Sequence, residues 1–289
     1  MSRKFLGETL DIHGGGVDLV FPHHENEIAQ SEAATGKPFA RWWVHNGLLT
    51  VEREKMAKSL GNYITIRDAL CELHPETLRM FFLSHHYRSP VDFSKDAVGR
   101  TKKNLDYFYN TLLRIEEICG KEDGPPRVDG KGMKQTPPEG MEPGDLETVR
   151  TLTRRFQEEM DDDLNTAGAL GELFRAATVL NRWIDEGGPV RSEEGTGLLK
   201  AFRRELKEIG RVLGLFREDP LPWFQQINTP EKPGGVDLSD EAIDEMMQQR
   251  ETARKEKDWA TADRIRDELA SRGIVLEDTP HGTRWKRNA

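Results

Sequence analysis

Apolar residues recur every three to four positions in four stretches of the chain. Leu105, Phe108, Leu112, Ile115 and Cys119 form one stripe, and Val149, Leu152, Phe156 and Met160 a second. Leu170, Leu173, Ala177, Leu180 and Ile184 make a third; Leu199, Phe202, Leu206, Ile209 and Leu213 make a fourth. Each stripe is one face of an amphipathic helix. Four such faces need one another to leave water, so the middle of the chain predicts a helical bundle. Between the first two stripes, 121–144 is rich in Gly and Pro and has no period, and reads as a long, mobile loop.

The first fifty residues have a different rhythm. Thr9–His13 is a short strand candidate, and Gly14-Gly15-Gly16 is expected to break the chain after it. Pro22 suits the start of a helix from His23 to about Thr35, closed by Gly36. A second strand falls within Phe39–Leu49. At the other end, Asn228–Gly235 is a break, after which Ser239 can cap a helix bearing Ile243, Met246 and Met247. Trp259, Ala262, Ile265 and Leu269 form another stripe, stopped by Gly273. Ile274–Leu276 and Thr283–Trp285 flank a turn containing Pro280 and Gly282, the pattern of a hairpin. The fold class is therefore mainly α, with an α/β N-terminal region, a helical bundle and a small α+β C-terminal unit.

Composition narrows the function classes. The 289 residues are 32% charged and 36% hydrophobic, as in a soluble globular protein, and no apolar run approaches a membrane span. Two cysteines make no disulfide framework, and the start of the chain has no secretory pattern, so a cytoplasmic setting is expected. The net charge of −9 argues against a non-specific polyanion binder, while leaving room for local basic patches.

Four groups could carry chemistry. His23 and Glu27 are four apart on a predicted helix, so an imidazole and a carboxylate share a face and could bind zinc; a capped helix start with solvated polar residues is the plainer reading. Lys55 and Lys58, beside Ser59 and Gly61, suit a loop that meets phosphates with movable point charges, or an ordinary basic surface loop. Asp161-Asp162-Asp163 is read as N-terminal charge for the helix that follows, in preference to a metal site. Cys71, Cys119 and Trp259 lie on apolar stretches and are read as core residues.

Taken together, these pieces resemble a known family. His13-Gly14-Gly15-Gly16-Val17-Asp18-Leu19-Val20-Phe21-Pro22-His23-His24-Glu25-Asn26-Glu27 closely resembles the segment of cysteinyl-tRNA synthetases that contributes to the active-site zinc. Lys55–Ser59 resembles the Lys-Met-Ser-Lys-Ser signature of class I aminoacyl-tRNA synthetases, with Ala57 in place of the middle Ser. His86–Pro90, Asp161–Thr166, Lys257–Ala260 and Gly273–Thr279 also resemble this family, in family order. The family's His-Ile-Gly-His signature and two zinc cysteines do not occur here, so the resemblance is to the C-terminal part of the enzyme. It divides the chain into the end of the catalytic domain (1–65), a stem-contact region (66–97), a tRNA-binding helical bundle (98–227) and an anticodon-binding domain (239–289).

The resemblance implies ATP-dependent activation of cysteine and its transfer to tRNA(Cys). Its cofactors are Zn2+ and, with ATP, Mg2+; its partners are cysteine, tRNA(Cys) and the first part of the catalytic domain. It makes His23 and Glu27 two of four zinc ligands, the zinc holding the substrate cysteine as thiolate, a soft-ligand bond that a hydroxyl cannot replace. It places His13 near the bound cysteine, Gly15 and Asp18 at the adenosine, and Lys58 and Lys55 on the phosphates. Arg254, Trp259, Asp263 and Asp278 match positions of anticodon recognition. Two rivals stand beside it. One is a ligase joining cysteine to an amino-sugar, which would have no need of 259–286. The other is a non-catalytic tRNA-binding module or one subunit of a split enzyme.

Overall fold

The computed structural model describes residues 2–56, 62–121, 137–188, 190–225, 240–256, 258–272, 274–279 and 282–287. The loop expected over 121–144 lies mostly outside these residues, as do the Asn228–Gly235 break, the Ser239 cap and the Gly273 stop.

A short helix α1 (Ser2–Leu6) leads into strand β1 (Leu10–Gly16), a kinked turn (Val17–His24), helix α2 (Glu25–Thr35) and strand β2 (Ala40–Asn46). β1 and β2 pair in parallel, with Ile12 opposite Trp42, His13 opposite Trp43 and Gly15 opposite His45. The three glycines therefore continue the strand they were expected to end. Their bare Cα atoms admit the turn that folds back over them: a Cβ on Gly15 would lie 2.8 Å from the His24 ring, and one on Gly14 3.1 Å from the Val44 carbonyl. Phe21 is extended (φ −128°, ψ 133°), while His24 and Glu25 already have helical backbone, so the helix leads out of the kinked turn close to where its pattern suggested. Gly36 closes α2 in the left-handed conformation, as its position implied.

Strand β3 (Leu49–Val51) pairs antiparallel with β4 (Glu54–Lys55) and parallel with β5 (Val91–Phe93). Helices α3 (Ile66–Glu72) and α4 (Pro75–Leu83) lie between them in sequence. Cys71 is exposed, correcting its reading as core: α3 buries Ala69 and turns its other side to solvent.

The bundle comprises α5 (Lys95–Cys119), α6 (Pro143–Arg150), α7 (Leu152–Asp161), α8 (Thr166–Asp185) and α9 (Glu193–Leu213). Leu105, Phe108, Leu112, Leu173, Leu180, Leu199 and Leu206 from the stripes meet in one core with no exposure. The second stripe is split between α6 and α7, because Thr151 (φ −97°, ψ 8°) interrupts the helix. The aspartate run also departs from expectation. Asp161 and Asp162 end α7, while Asn165 caps α8 by accepting from the Gly168 amide.

A short α10 (Pro220–Gln225) precedes the C-terminal unit of α11 (Asp240–Lys255), α12 (Trp259–Ser271), β6 (Ile274–Thr279) and β7 (Gly282–Arg287). β6 and β7 form the expected hairpin, and Ile243, Ile265, Leu269, Ile274 and Trp285 make a separate small core.

Candidate active site and tRNA-reading surface

The carboxyl ends of parallel strands are where open α/β sheets bind ligands. Near there, on β1, β2 and the turn between them, the fold brings together His13, His24 and His45. His13 Nε2 lies 2.8 Å from Glu27 Oε2 of α2. His24 is buried and its Nδ1 lies 2.8 Å from His45 Nε2. Trp43 packs edge-on to His13 and stacks on His45, closing one side of the group. Burial, then the neighbouring His24 and His13, lowers the His45 pKa.

Ligand atoms of His13, His24 and Glu27 all lie within 4.8 Å of one another. Helical spacing had paired Glu27 with His23. His23 is exposed beside Glu27 and stands outside this three-residue group, whereas His24 faces inward. Sequence reasoning set His24 aside, although it stands three residues before Glu27 and helical neighbours three apart share a face; His45 was missed because it reaches the group only through the β1–β2 pairing. Gly15 lies beneath the His24 ring, and Asp18 is exposed with its Oδ1 2.5 Å from where a Gly16 Cβ would sit. Lys55 ends β4 with its side chain outside the described residues, and Lys58 lies outside them entirely.

At the far end, Trp259 opens α12 and is 59% exposed, which overturns its reading as core. Ala262, Ile265 and Leu269 carry the stripe inward without it. Asp263, one turn on, shares the outer face with Trp259 and pairs with Arg266 at 3.3 Å. Arg254 is exposed near the end of α11, across the short junction from Trp259. Asp278 pairs with Thr283 across the hairpin, and its side chain lies outside the described residues.

Residues 1–103 match the tRNA synthetases class I (C) catalytic domain, residues 155–217 the DALR domain, and residues 237–285 the Cysteinyl-tRNA ligase anticodon binding domain. The chain is 46% identical to the cysteine–tRNA ligase of Syntrophotalea carbinolica over 288 residues, 99% of this chain and 56% of that protein. With the cysteine–tRNA ligase of Thermodesulfovibrio yellowstonii it is 45% identical over 286 residues, 99% of this chain and 55% of that one. Along 99% of its length the chain is similar to these cysteine–tRNA ligases. It spans a little over half the length of these curated relatives. Methionyl-tRNA synthetase of Mycobacterium tuberculosis, solved with methionyl-adenylate, shares the fold at a TM-score of 0.50 and 22% identity, over 71% of this chain and 40% of that one.

These matches give the two surfaces a common setting, with a catalytic-domain match at one end and an anticodon-binding match at the other. Between them stands a junction that sequence reasoning assigned to helix capping. Asp163 accepts from Tyr87 Oη at 2.7 Å and from Arg88 Nε at 2.5 Å, tying the 84–90 loop to the bundle. Arg88, then Tyr87, holds the Asp163 carboxyl down to about 2. The same loop grips the catalytic region, where the Gly47 amide donates to the Tyr87 carbonyl at 2.7 Å. A Cβ on Gly47 would fall 2.1 Å from the Ser89 carbonyl oxygen. Among the described residues, no helix is long and apolar enough to cross a membrane.

Proposed function

We propose that this chain supplies part of the active site, the helical domain and the anticodon-reading domain of a cysteine–tRNA ligase. The complete active site would join cysteine to ATP as cysteinyl-adenylate, release pyrophosphate, and transfer cysteine to the 3′ end of tRNA(Cys). The observation that carries this reading is the 46% identity to a cysteine–tRNA ligase across 99% of the chain.

Two imidazoles and a carboxylate form a donor set that zinc accepts, so His13, His24 and Glu27 fit the metal the family reading calls for. That reading gives Glu27 and His23 as the ligands, and Glu27 is common to both sets. Zinc bound there would supply a soft acid for the substrate's sulfur and so discriminate cysteine from serine. Gly15 and Asp18 would bind the adenosine edge, Asp18 accepting from ribose hydroxyls. Lys58, with Lys55 and Mg2+, would meet the charge that develops on the phosphates in the transition state. Trp259 would stack on an anticodon base, Arg254 would add a cation, and Asp263 and Asp278 would read base edges.

The β1–β2 sheet supports the expectation of a further catalytic portion. Parallel strands are ordinarily covered on both faces. Here Ile12 and Trp42, directly paired, are 67% and 70% exposed. The test is cysteine-dependent ATP–pyrophosphate exchange, run on the chain alone and with a polypeptide corresponding to the rest of its relatives' length. Exchange is expected only in the mixture, and Lys58→Ala should lower it by roughly 10²–10³-fold. Exchange in neither sample, with tRNA binding retained, would make the chain a non-catalytic tRNA-binding module. Zinc titration of Glu27→Ala, His23→Ala and His24→Ala identifies the ligands, because only true ligands should lower affinity sharply.

A further inference from the structure

We propose that Asp92 is a positioning residue for the lysine loop, holding the β3–β4 turn so that the chain leaves Lys55 in one fixed direction. The inference rests on the reading of Lys55 and Lys58 as phosphate contacts. Its starting point is a turn whose residues do not suit its shape. Val51 pairs with Glu54, so Glu52 and Arg53 alone form the turn. Both have left-handed backbones, with φ of 51° and 67°. Two-residue hairpins with two positive φ values favour Asn-Gly or Asp-Gly, because other side chains crowd the backbone there. Glu-Arg is a poor choice for this turn, so something outside it must hold it.

β5 and the start of α5 do so. Asp92 Oδ1 accepts from the Arg53 amide at 2.7 Å and from Thr50 Oγ1 at 2.6 Å. The Glu52 amide donates to the Phe93 carbonyl at 3.3 Å, and the Glu52 carboxylate accepts from the Lys95 amide at 3.3 Å. Each turn residue is thus gripped through its own backbone amide. The Thr50 hydroxyl, then the Arg53 amide, lowers the Asp92 pKa, consistent with a carboxylate that works as an ionised acceptor. Sequences depart from local turn preferences chiefly where function imposes a geometry. Here β4 ends at Lys55, three residues before Lys58. An Asn-Gly turn would hold its own shape; a Glu-Arg turn takes its shape from β5, and so ties the lysine loop to the element that carries Asp92.

The test uses the 289-residue chain mixed with a polypeptide corresponding to the rest of its relatives' length, the form in which the active site is expected to be complete. Amide hydrogen exchange at Arg53–Lys55 and Mg-ATP affinity are measured for wild type, Asp92→Asn, Asp92→Ala and Asp92→Ala with Arg53→Gly, with Arg53→Gly alone as control. A hydrogen bond to a charged group is strong enough that Asp92→Ala should speed exchange about tenfold or more and weaken ATP to a similar degree. Asp92→Asn keeps an acceptor oxygen and should stay within about threefold of wild type. Glycine takes positive φ freely, so Arg53→Gly should restore both exchange and ATP affinity in the Asp92→Ala background. A merely structural Asp92 would speed exchange when replaced and leave ATP affinity unchanged, which would overturn the proposal. Unchanged exchange in Asp92→Ala, or no rescue, overturns the proposal. If exchange responds as expected but wild type binds no ATP, the phosphate reading of the lysines falls and the positioning role falls with it.

Discussion

The bundle and the β1–β2 sheet both invest heavily in apolar side chains, and they place them differently. In the bundle, Leu105, Phe108, Leu173 and Leu206 have no exposure at all. In the sheet, Ile12 and Trp42 are 67% and 70% exposed, and Phe21 in the adjoining turn is 77% exposed. Helices with one stripe each can close a core among themselves. Two parallel strands cannot, because each presents two faces and α2 and the kinked turn occupy little of them. The difference separates what the chain stabilises by itself from what it holds ready for another surface.

That contrast can be broken at several points. The largest effect should come from Phe108→Ala, which opens a cavity at the centre of the bundle and should cost about 3–5 kcal/mol in chemical denaturation. A loss under about 1 kcal/mol would mean that the bundle is not the stable unit. Next is the buried carboxylate of Glu76, which accepts from Tyr109 Oη at 2.9 Å and from the amides of Phe216 and Arg217 at 2.9 and 2.8 Å. Burial, then Glu76 itself, pushes the Tyr109 phenol far upward, so it remains a neutral donor. In Glu76→Gln an amide NH2 faces those donors, and unfolding should become easier by about 2–3 kcal/mol.

Trp259→Ala should weaken tRNA(Cys) binding by roughly 1–3 kcal/mol, as loss of a stacked base does. Its 59% exposure predicts a melting temperature close to wild type, so the two measurements on one mutant separate recognition from folding. A large drop in melting temperature would restore the core reading of Trp259. A smaller effect belongs to the Asp163 junction. Its carboxyl is lowered from 3.8 to about 2, so its contribution is present above about pH 4 and is lost as pH falls towards about 2. The Tyr87 ring signals should report that step by NMR, and Asp163→Asn should abolish it. The smallest is Trp42→Ser, which should shift the stability of the chain alone by no more than about 0.5 kcal/mol. The same substitution should impair exchange activity in the two-polypeptide mixture, if the sheet face is where the further portion docks.

The bundle was legible because its stripes are a local property of a 3.6-residue repeat, and Leu105 faces its core by the same rule that makes it periodic. The histidine site was legible only in part. Periodicity put His23 and Glu27 on one face, but His24, three residues before Glu27, is the one that lies beneath Gly15. What local spacing leaves out is His13 and His45, which come together only through the pairing of β1 with β2. Asp163 was misread for a related reason. An aspartate before a helix looks like a cap, and only the loop at Tyr87–Arg88, far away in sequence, shows what it accepts. Glu52 and Arg53 were invisible as a turn because they break the residue preferences by which turns are recognised.

Helix α5 gives these separate features a mechanical relation. It is 25 residues long, about 37 Å. Its first residue donates to Glu52 of the β3–β4 turn, and the carbonyl of Gly120, just past its last residue, accepts from Arg203 at 2.7 Å. Along the way it packs on α4, α8, α9 and α10. A helix that long behaves as a nearly rigid rod. Tilting it by about 5° about its far end would carry Lys95 through about 3 Å, a distance comparable to a whole hydrogen bond. α5 is therefore a lever arm: an angular adjustment that its packing in the bundle permits would arrive, magnified, at the turn before Lys55.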